Sequence, residues 1–409
     1  MYSRILILTL LLMSSILFSW HHWSVYLDRS AAFPAVEDDA LVLARHPEDH
    51  LALEIHSAVA PHFDGQLYPL HMPFSEVSLT LVEGFLARNQ EAMTRLIRLH
   101  QKDDTQWRVR DPDLRHHSRQ PGILGDEATS GMSSDLLLDW SGSLAVYGAF
   151  RESELGKHDE MRQALMLSAD LRDLALHNPS AEMLNNTRHW RFRLLSLLAF
   201  HRSKALPVED ALALVPDTML LRKALSTAMY TRLRDIEAEV KKMGRSSSVF
   251  QPISRDRECL LLVRRLYGFY NGDRMREPLL NKVPPSDWFQ ITPHRYRFDP
   301  RWLRDELERM MVETGLEMVL QDATRLIVVL GPDAPSHVVA ARADAIDRLG
   351  LVNPFDGRRY RLDAEGRLLM LPSGHRWTAW LGPREDLHEK WGDWIALPAH
   401  PVKNARIEH

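Results

Sequence analysis

Hydrophobic positions between residues 47 and 349 recur at the three- and four-residue spacing of one face of an α-helix. In the clearest example, Leu221, Leu225 and Met229 follow Asp217 at intervals of four. Caps, prolines and glycines separate these runs. The pattern predicts helices over residues 47–60, 75–86, 90–100, 135–154, 158–177, 181–202, 207–216, 217–243, 258–270, 301–330 and 336–349.

The fold class that follows is mainly α. Helices of about twenty residues joined by short turns predict an antiparallel helical-hairpin, solenoid-like array, although the sequence has no strict repeat of fixed period. The pattern changes after Gly331, where residues 358–362 and 367–371 predict a small C-terminal β-hairpin around the turn Asp363–Gly366. Residues 101–134 are polar and predict a long loop.

The chain begins with an apolar run, Ile5 to Trp20, which has no charged residue and follows Arg4. This run is slightly shorter than the ~20 residues that span a bilayer, and Trp23 and Tyr26 extend it. It predicts an uncleaved N-terminal transmembrane helix with its N-terminus in the cytoplasm. The alternative is a signal peptide cleaved near Ala32.

Three regions follow from these elements. Residues 1–26 are the predicted N-in membrane anchor, residues 27–330 an α-helical periplasmic domain with the long loop near 101–134, and residues 331–409 a helix, the β-hairpin and a tryptophan-rich tail. Trp391 and Trp394 are three residues apart, which favours one helix face covering the hairpin. The alternative for this tryptophan pair is an exposed aromatic patch for a partner.

The net charge and the cysteine content limit the cellular locations and the classes of partner that the sequence predicts. The formal net charge of -4 gives no general attraction for nucleic acid, so no nucleic-acid partner is expected. Cys259 is the single cysteine, which excludes an internal disulfide, and its apolar neighbours predict a buried thiol. An exported chain of this kind fits a single-pass protein of the bacterial inner membrane with most of its mass in the periplasm.

The sequence offers weak candidates for chemistry. His46 and His50 lack the H-E-x-x-H order of a zinc helix, and we expect no metal site. Gly142-Ser143 and Ser373-Gly374-His375 lack the G-x-S-x-G frame of a serine nucleophile. No phosphate loop or dinucleotide fingerprint is present, so no cofactor is expected.

Two pairs of carboxylates share predicted helix faces: Glu313 with Glu317, and Asp135 with Asp139. Such pairs can cleave glycosidic bonds when they flank one cleft, although a solvated helix face explains most of them. A carboxylate pair in a deep cleft would therefore favour an enzyme. An exposed apolar groove would favour a scaffold.

One short motif carries a family resemblance. Asn353, Pro354, Phe355, Gly357 and Tyr360 form an N/D-P-F-x-G-x-x-Y segment before the hairpin. This segment and the spacing of the helices before it resemble those of a group of uncharacterised exported, membrane-anchored helical bacterial proteins. The resemblance implies an anchored, helix-rich periplasmic protein and no particular activity. The hairpin is also similar to the end of type II secretion pseudopilins, but no prepilin peptidase site is visible and the chain is much longer.

The motif also has a direct physical interpretation. Proline fixes φ at position 354, Phe355 can fill a core, and Gly357 permits a left-handed turn. The alternative is a docking edge for a partner strand.

The leading functional hypothesis is a non-catalytic periplasmic scaffold or accessory subunit of a cell-envelope assembly. It would bind an envelope protein partner and contact the membrane through residues 5–26. The alternative is a hydrolase of an envelope polymer, such as peptidoglycan or another glycan, that uses a carboxylate pair. A periplasmic ligand-sensing domain is a third hypothesis.

Overall fold

The computed structural model describes residues 2–30, 50–65, 79–102, 134–177, 180–200, 206–246, 253–270, 277–290, 299–331, 339–363, 366–372, 375–377, 389–391 and 394–396. This part of the chain is mainly helical, as predicted. Its helices are α1 (Tyr2–Ser30), α2 (His50–Val59), α3 (Leu79–Arg88), α4 (Gln90–Lys102), α5 (Ser134–Glu154), α6 (His158–His177), α7 (Ala181–Asn186), α8 (Arg188–Phe200), α9 (Val208–Leu214), α10 (Thr218–Ser246), α11 (Ile253–Tyr270), α12 (Pro300–Leu330) and α13 (Val339–Arg348).

Most predicted helices are confirmed within a few residues, and α6 has the predicted bounds. The single helix predicted over 181–202 is wrong, because the chain breaks at Thr187 into α7 and α8. Asparagine and threonine are weak helix formers, and they occupy 185–187. Gly244 does not end α10, which continues to Ser246.

The residues before α12 are more ordered than predicted. Helix α11 starts at Ile253, five residues before the predicted helix 258–270. Between the predicted helices 258–270 and 301–330, two short 3-10 helices, Leu279–Lys282 and Ser286–Phe289, are present, and a proline precedes each of them. In the first, the backbone N–H of Leu279 donates to the carbonyl of Pro354 at 2.9 Å, which ties this segment to the C-terminal motif.

The long helix α12 lies at the centre of the bundle. It packs against α8, α9, α10 and α13. Its side chains are buried on all sides over most of the stretch from Leu307 to Val328, so the amphipathic pattern expected for it is wrong. In a solenoid each repeat contacts its neighbours only. The packing of α12 on α8, which is more than 100 residues away in sequence, therefore corrects the solenoid-like part of the prediction.

A second group of contacts surrounds α5, which packs against α3, α6 and α8. Tyr147 and Phe150 of α5 are buried. Trp190 of α8 lies so close to Gly142 that a β-carbon at position 142 would overlap the indole ring. A small residue at this position lets the two helices approach closely.

The C-terminal region forms a small antiparallel sheet. The predicted hairpin is confirmed as β1 (Arg361–Leu362) paired with β2 (Leu368–Pro372). Strands β3 (Glu389–Trp391) and β4 (Trp394–Ala396) extend it in the order β1-β2-β4-β3. Trp391 pairs with Trp394 across β3 and β4, so the predicted helix face is wrong. Residues three apart also flank a two-residue hairpin loop.

Helix α1 carries the apolar run of the N-terminus, and the large apolar side chains between Ile5 and Trp20 are exposed. Among the described residues, no helix is both long and apolar enough to cross a membrane. The transmembrane anchor therefore stays a prediction. Most of the loop predicted at 101–134 lies outside the described residues, as do His46 and the Ser373-Gly374 pair.

Candidate functional site

The residues of the N/D-P-F motif lie in the core beside α12. The side-chain oxygen of Asn353 accepts the backbone N–H of Phe355 at 3.0 Å, and its amide nitrogen donates to the carbonyl of Met370 at 2.9 Å. The ring of Phe355 packs against Gly315, where a β-carbon would lie 2.7 Å from it. Gly357 has a φ of 70°, which favours glycine. The motif therefore forms a turn that closes the core.

Tyr360 links this turn to α12. Its hydroxyl donates to Asp322 at 2.8 Å, and Arg325 contacts the same carboxylate at 3.0 Å. Burial raises the pKa of Asp322 to about 6, although the contacts with Tyr360 and Arg325 act in the opposite direction. This network joins the C-terminal region to the central helix, and both Tyr360 and Asp322 are buried.

The serine candidate at position 143 lies near a histidine and an aspartate, but not as a catalytic triad. The Ser143 hydroxyl and a carboxylate oxygen of Asp139 both face Nε2 of His189, at 3.4 and 3.2 Å. A triad needs the serine and the aspartate on opposite ring nitrogens. Burial, helped by the charge of Arg193, lowers the pKa of His189 to about 2. Ser143 is fully buried, so this cluster is structural.

The structure separates the predicted pair Glu313 and Glu317. Glu317 is buried and accepts two hydrogen bonds from Arg191, at 2.8 and 2.7 Å. The same guanidinium also donates to the carbonyl of Leu184 at 3.2 Å. Arg188 contacts Glu313, which turns toward the surface. The two carboxylates therefore do not face one cleft. Of the other pair, Asp139 is buried beside His189, and the side chain of Asp135 lies outside the described residues.

Glu313 instead lines a pocket of about 380 Å³ between α7 and α12, together with Glu306 and Trp302. Arg232 contacts Glu306 at 2.9 Å, and its guanidinium also lies 5.0 Å from the centre of the Trp302 ring. The sequence alone does not predict this pocket. Its signal was present in the spacing of Trp302, Glu306 and Glu313 along one helix face.

The two carboxylates of this pocket differ in their acidity. Burial raises the pKa of Glu306, although Arg232 opposes the shift. Burial acts in the same direction on Glu313, but the hydrogen bonds and charges of Arg188 and Arg309 outweigh it and lower the pKa of Glu313. One pocket thus holds a carboxyl that keeps its proton more readily than usual and one that loses it more readily.

A second concave surface, named here the α3–α4 groove, lies between α3, α4 and the end of α5. Two adjoining cavities of about 510 and 650 Å³ share Ala87, Gln90 and Thr94. Apolar side chains form the floor and charged ones the rim. The floor consists of Leu86, Met93, Ile97 and Leu155, and the charged rim of Glu83, Arg88, Glu91, Arg95, Arg98, Arg151 and Lys157.

Asn89 fixes the angle between the two helices of the groove. Its side-chain oxygen accepts the N–H of Asp64 at 2.7 Å, and its nitrogen donates to the carbonyls of Asp64 and Phe85 at 3.0 and 2.9 Å. The sequence predicts α3 and α4 but not the groove between them. The contact between Asn89 and Asp64 that holds the two helices together joins residues 25 positions apart.

His46 and the side chain of His50, which the sequence analysis considered as metal ligands, lie outside the described residues. Among the described residues, no group of three histidine, cysteine, aspartate or glutamate side chains could hold a metal ion. His62 lies 3.5 Å from Glu91 beside the α3–α4 groove.

Comparisons of the whole chain with family models, with curated proteins and with solved structures found no match. The resemblance to exported helical proteins therefore stays a prediction, and the geometry of the sites carries the functional argument.

Proposed function

We propose that the protein is a non-catalytic accessory subunit or scaffold of a cell-envelope assembly. The α3–α4 groove carries this proposal. It is concave, its floor is apolar, and Leu155 at one end of it is 47% exposed. Apolar grooves with polar rims are typical docking surfaces for a partner segment. The buried ionised groups elsewhere tie helices together, as Arg191 and Glu317 do.

We further propose that α1 holds the protein to the inner membrane, with the helical body in the periplasm. The exposed side chains of α1 support this, because Leu8 and Leu17 are 68% and 64% exposed. An apolar surface of this size is unfavourable in water, and lipid would cover it. We expect the full chain to remain in the membrane pellet after alkaline carbonate extraction. Its release into the supernatant would contradict the membrane part of the proposal.

The docking role is tested by co-purification from gently solubilised membranes. Leu155→Arg places a charge on the groove floor and should reduce the recovered partner at least about tenfold, a loss of roughly 1.4 kcal/mol. Val208→Arg is the matched control, since Val208 is 42% exposed at the start of α9, outside the lining of the groove. Equal recovery from both variants, or no envelope protein in stoichiometric amount with the wild type, would contradict the docking role.

A glycan hydrolase is the second candidate, and the pocket between α7 and α12 favours it. Glu306 and Glu313 line one pocket, and the environment moves their pKa values in opposite directions. That division is typical of an acid and a base in glycoside hydrolysis. If this candidate holds, the wild type solubilises purified peptidoglycan. Glu306→Gln and Glu313→Gln should then each lose the activity, whereas Glu83→Gln in the α3–α4 groove should keep it.

A further inference from the structure

We propose that the occupant of the α3–α4 groove is an acidic amphipathic helix of the partner protein. This inference rests on the proposed docking function and adds the chemistry of the partner. Three features of the groove carry it: the stripes along α4, the apolar floor, and the excess of positive charge on the rim.

Two stripes of side chains run side by side along α4. Met93 and Ile97 are four residues apart and line the groove with Gln90 and Thr94. Glu91, Arg95 and Arg98 form the neighbouring stripe. Since residues three and four apart share a helix face, the charged stripe extends over about two turns of α4, and the apolar pair Met93 and Ile97 lies beside it over about one turn. A partner helix laid along α4 would meet both stripes.

The floor suits the apolar face of a helix. Leu86 and Met93 are almost completely buried at its base, and Leu155 projects at one end. Helices that bind in grooves place anchors at i, i+3 or i+4, and i+7. The groove is concave, which favours a rod-shaped occupant over a flat lipid surface.

The positive charge of the rim favours an acidic partner helix. Five of its charged side chains are basic and two are acidic, and one of the five, Arg88, already pairs with Asp64 at 3.3 Å. Arg95 contacts Glu91 at 2.6 Å, so a neighbouring guanidinium already balances this carboxylate. Arg98 is exposed and forms no ion pair with the described residues. The protein as a whole is slightly acidic, which makes this local positive surface a distinct one.

The side of the groove formed by the end of α5 also carries positive charge. Arg151 and Lys157 both contact the carboxylate of Glu152, which is buried. One carboxylate therefore balances two cations, and both cations are partly exposed beside Leu155. An acidic helix would place carboxylates against both Arg98 and Lys157.

The test measures binding of a designed peptide to the full-length protein in neutral phosphatidylcholine nanodiscs. The probe is a fluorescein-labelled four-turn helix with leucines at i, i+3, i+4 and i+7 and glutamates beside them. Matched peptides carry lysine in place of glutamate, or serine in place of leucine. We expect the glutamate peptide to bind in the micromolar range and both matched peptides to bind at least about tenfold more weakly.

Charge reversal in the groove provides the decisive comparison. The double variant Arg98→Glu and Lys157→Glu should weaken the glutamate peptide about tenfold and strengthen the lysine peptide. Arg301→Glu, an exposed arginine at the start of α12, is the control and should change neither. Equal binding of the two peptides, or no response to charge reversal, would overturn the inference. So would binding to anionic phosphatidylglycerol vesicles that the double variant abolishes while the peptides fail to bind.

Co-purification distinguishes a failure of this inference from a failure of the proposed docking function. If co-purification finds an envelope partner that Leu155→Arg removes but charge reversal does not, docking stands and the acidic helix is wrong. If no partner is recovered, the docking function itself fails.

Discussion

At the scale of single residues, buried charges define the interior of this protein. Arg191 and Glu317 are 126 positions apart in sequence, and both side chains are 2% exposed. Removing two charges from water is costly, and their bidentate contact offsets much of that cost. Such a pair adds little net stability compared with apolar residues of the same size, but losing one partner leaves a buried unpaired charge.

The first prediction concerns this pair. Arg191→Met should lower the free energy of unfolding by about 3–5 kcal/mol, because Glu317 would remain buried without its guanidinium. The double variant Arg191→Met and Glu317→Leu should recover most of that loss. Urea denaturation of the detergent-solubilised full chain measures both. If the double variant is as unstable as the single one, the carboxylate is not the source of the loss.

The second prediction concerns acid stability. His189 has a folded pKa of about 2 against an ordinary value of 6.5, so between these values the unfolded chain binds a proton that the folded chain does not. The contribution of His189 is fully present above pH 6.5 and falls below it. For this group alone we expect about 1.4 kcal/mol less stability at pH 5.5 than at pH 7.5.

The measurement for His189 compares pH slopes between variants, so that contributions from other groups cancel. His189→Gln should lose part of the decline of unfolding free energy between pH 7.5 and pH 5.5. Val208→Gln, an exposed position at the start of α9 that carries no titratable group, should keep the wild-type slope. Identical slopes in all three proteins would show that His189 is not buried in its neutral form.

At the scale of elements, close approach decides how the C-terminal motif meets α12. Gly315 lies beneath both Phe355 and Leu279, and a β-carbon there would lie 2.7 Å from an atom of each. The same α12 segment holds Tyr360 through Asp322. The motif, the 3-10 helix Leu279–Lys282 and α12 therefore form one packed unit.

The third prediction tests that unit. Gly315→Ala should destabilise the protein by about 1–2 kcal/mol, because overpacking of a filled core outweighs the better helix propensity of alanine. Gly268→Ala on α11 is the matched control. Among the described residues, no atom outside the helix backbone lies within 4 Å of its added methyl group, so it should stabilise the protein by about 0.5–1 kcal/mol. A neutral or stabilising Gly315→Ala would mean that Phe355 does not pack there.

The elements that could be predicted are those with local signals. Asp217 caps α10 by accepting the N–H of Met219 at 3.1 Å, and Gly350, with a φ of 62°, follows α13. The break at Thr187 and the burial of α12 on all sides depend on packing partners far away in sequence. The same reason explains why the pairing of Trp391 with Trp394 was missed, since a spacing of three fits both a helix face and a tight hairpin.

Candidate chemistry was harder to predict than the fold. Ser143 and Glu317 were found as residue types, but sequence spacing contains no information on the histidine nitrogen that faces Ser143 or on the arginine that holds Glu317. The α3–α4 groove and the pocket at Glu306 each need two or more helices in fixed positions. A sequence predicts which side chains share one face of a helix, but it does not predict the angle between two helices.

At the scale of the whole molecule, the bundle presents two different surfaces. One is the exposed apolar run of α1, which we propose lipid covers. The other is the α3–α4 groove, which we propose a partner helix fills. A protein attached to the membrane at one end and docked to a partner by its body would hold that partner near the bilayer.

Site-specific photo-crosslinking in living cells tests this account most directly. A photoreactive phenylalanine analogue replaces Leu155 in the groove or, as the control, Val208 at the start of α9. We expect one discrete crosslinked product with an envelope protein from position 155 and none from position 208, with mass spectrometry mapping the crosslink to an acidic amphipathic segment. No discrete product from position 155, or the same products from both positions, would contradict the docking role.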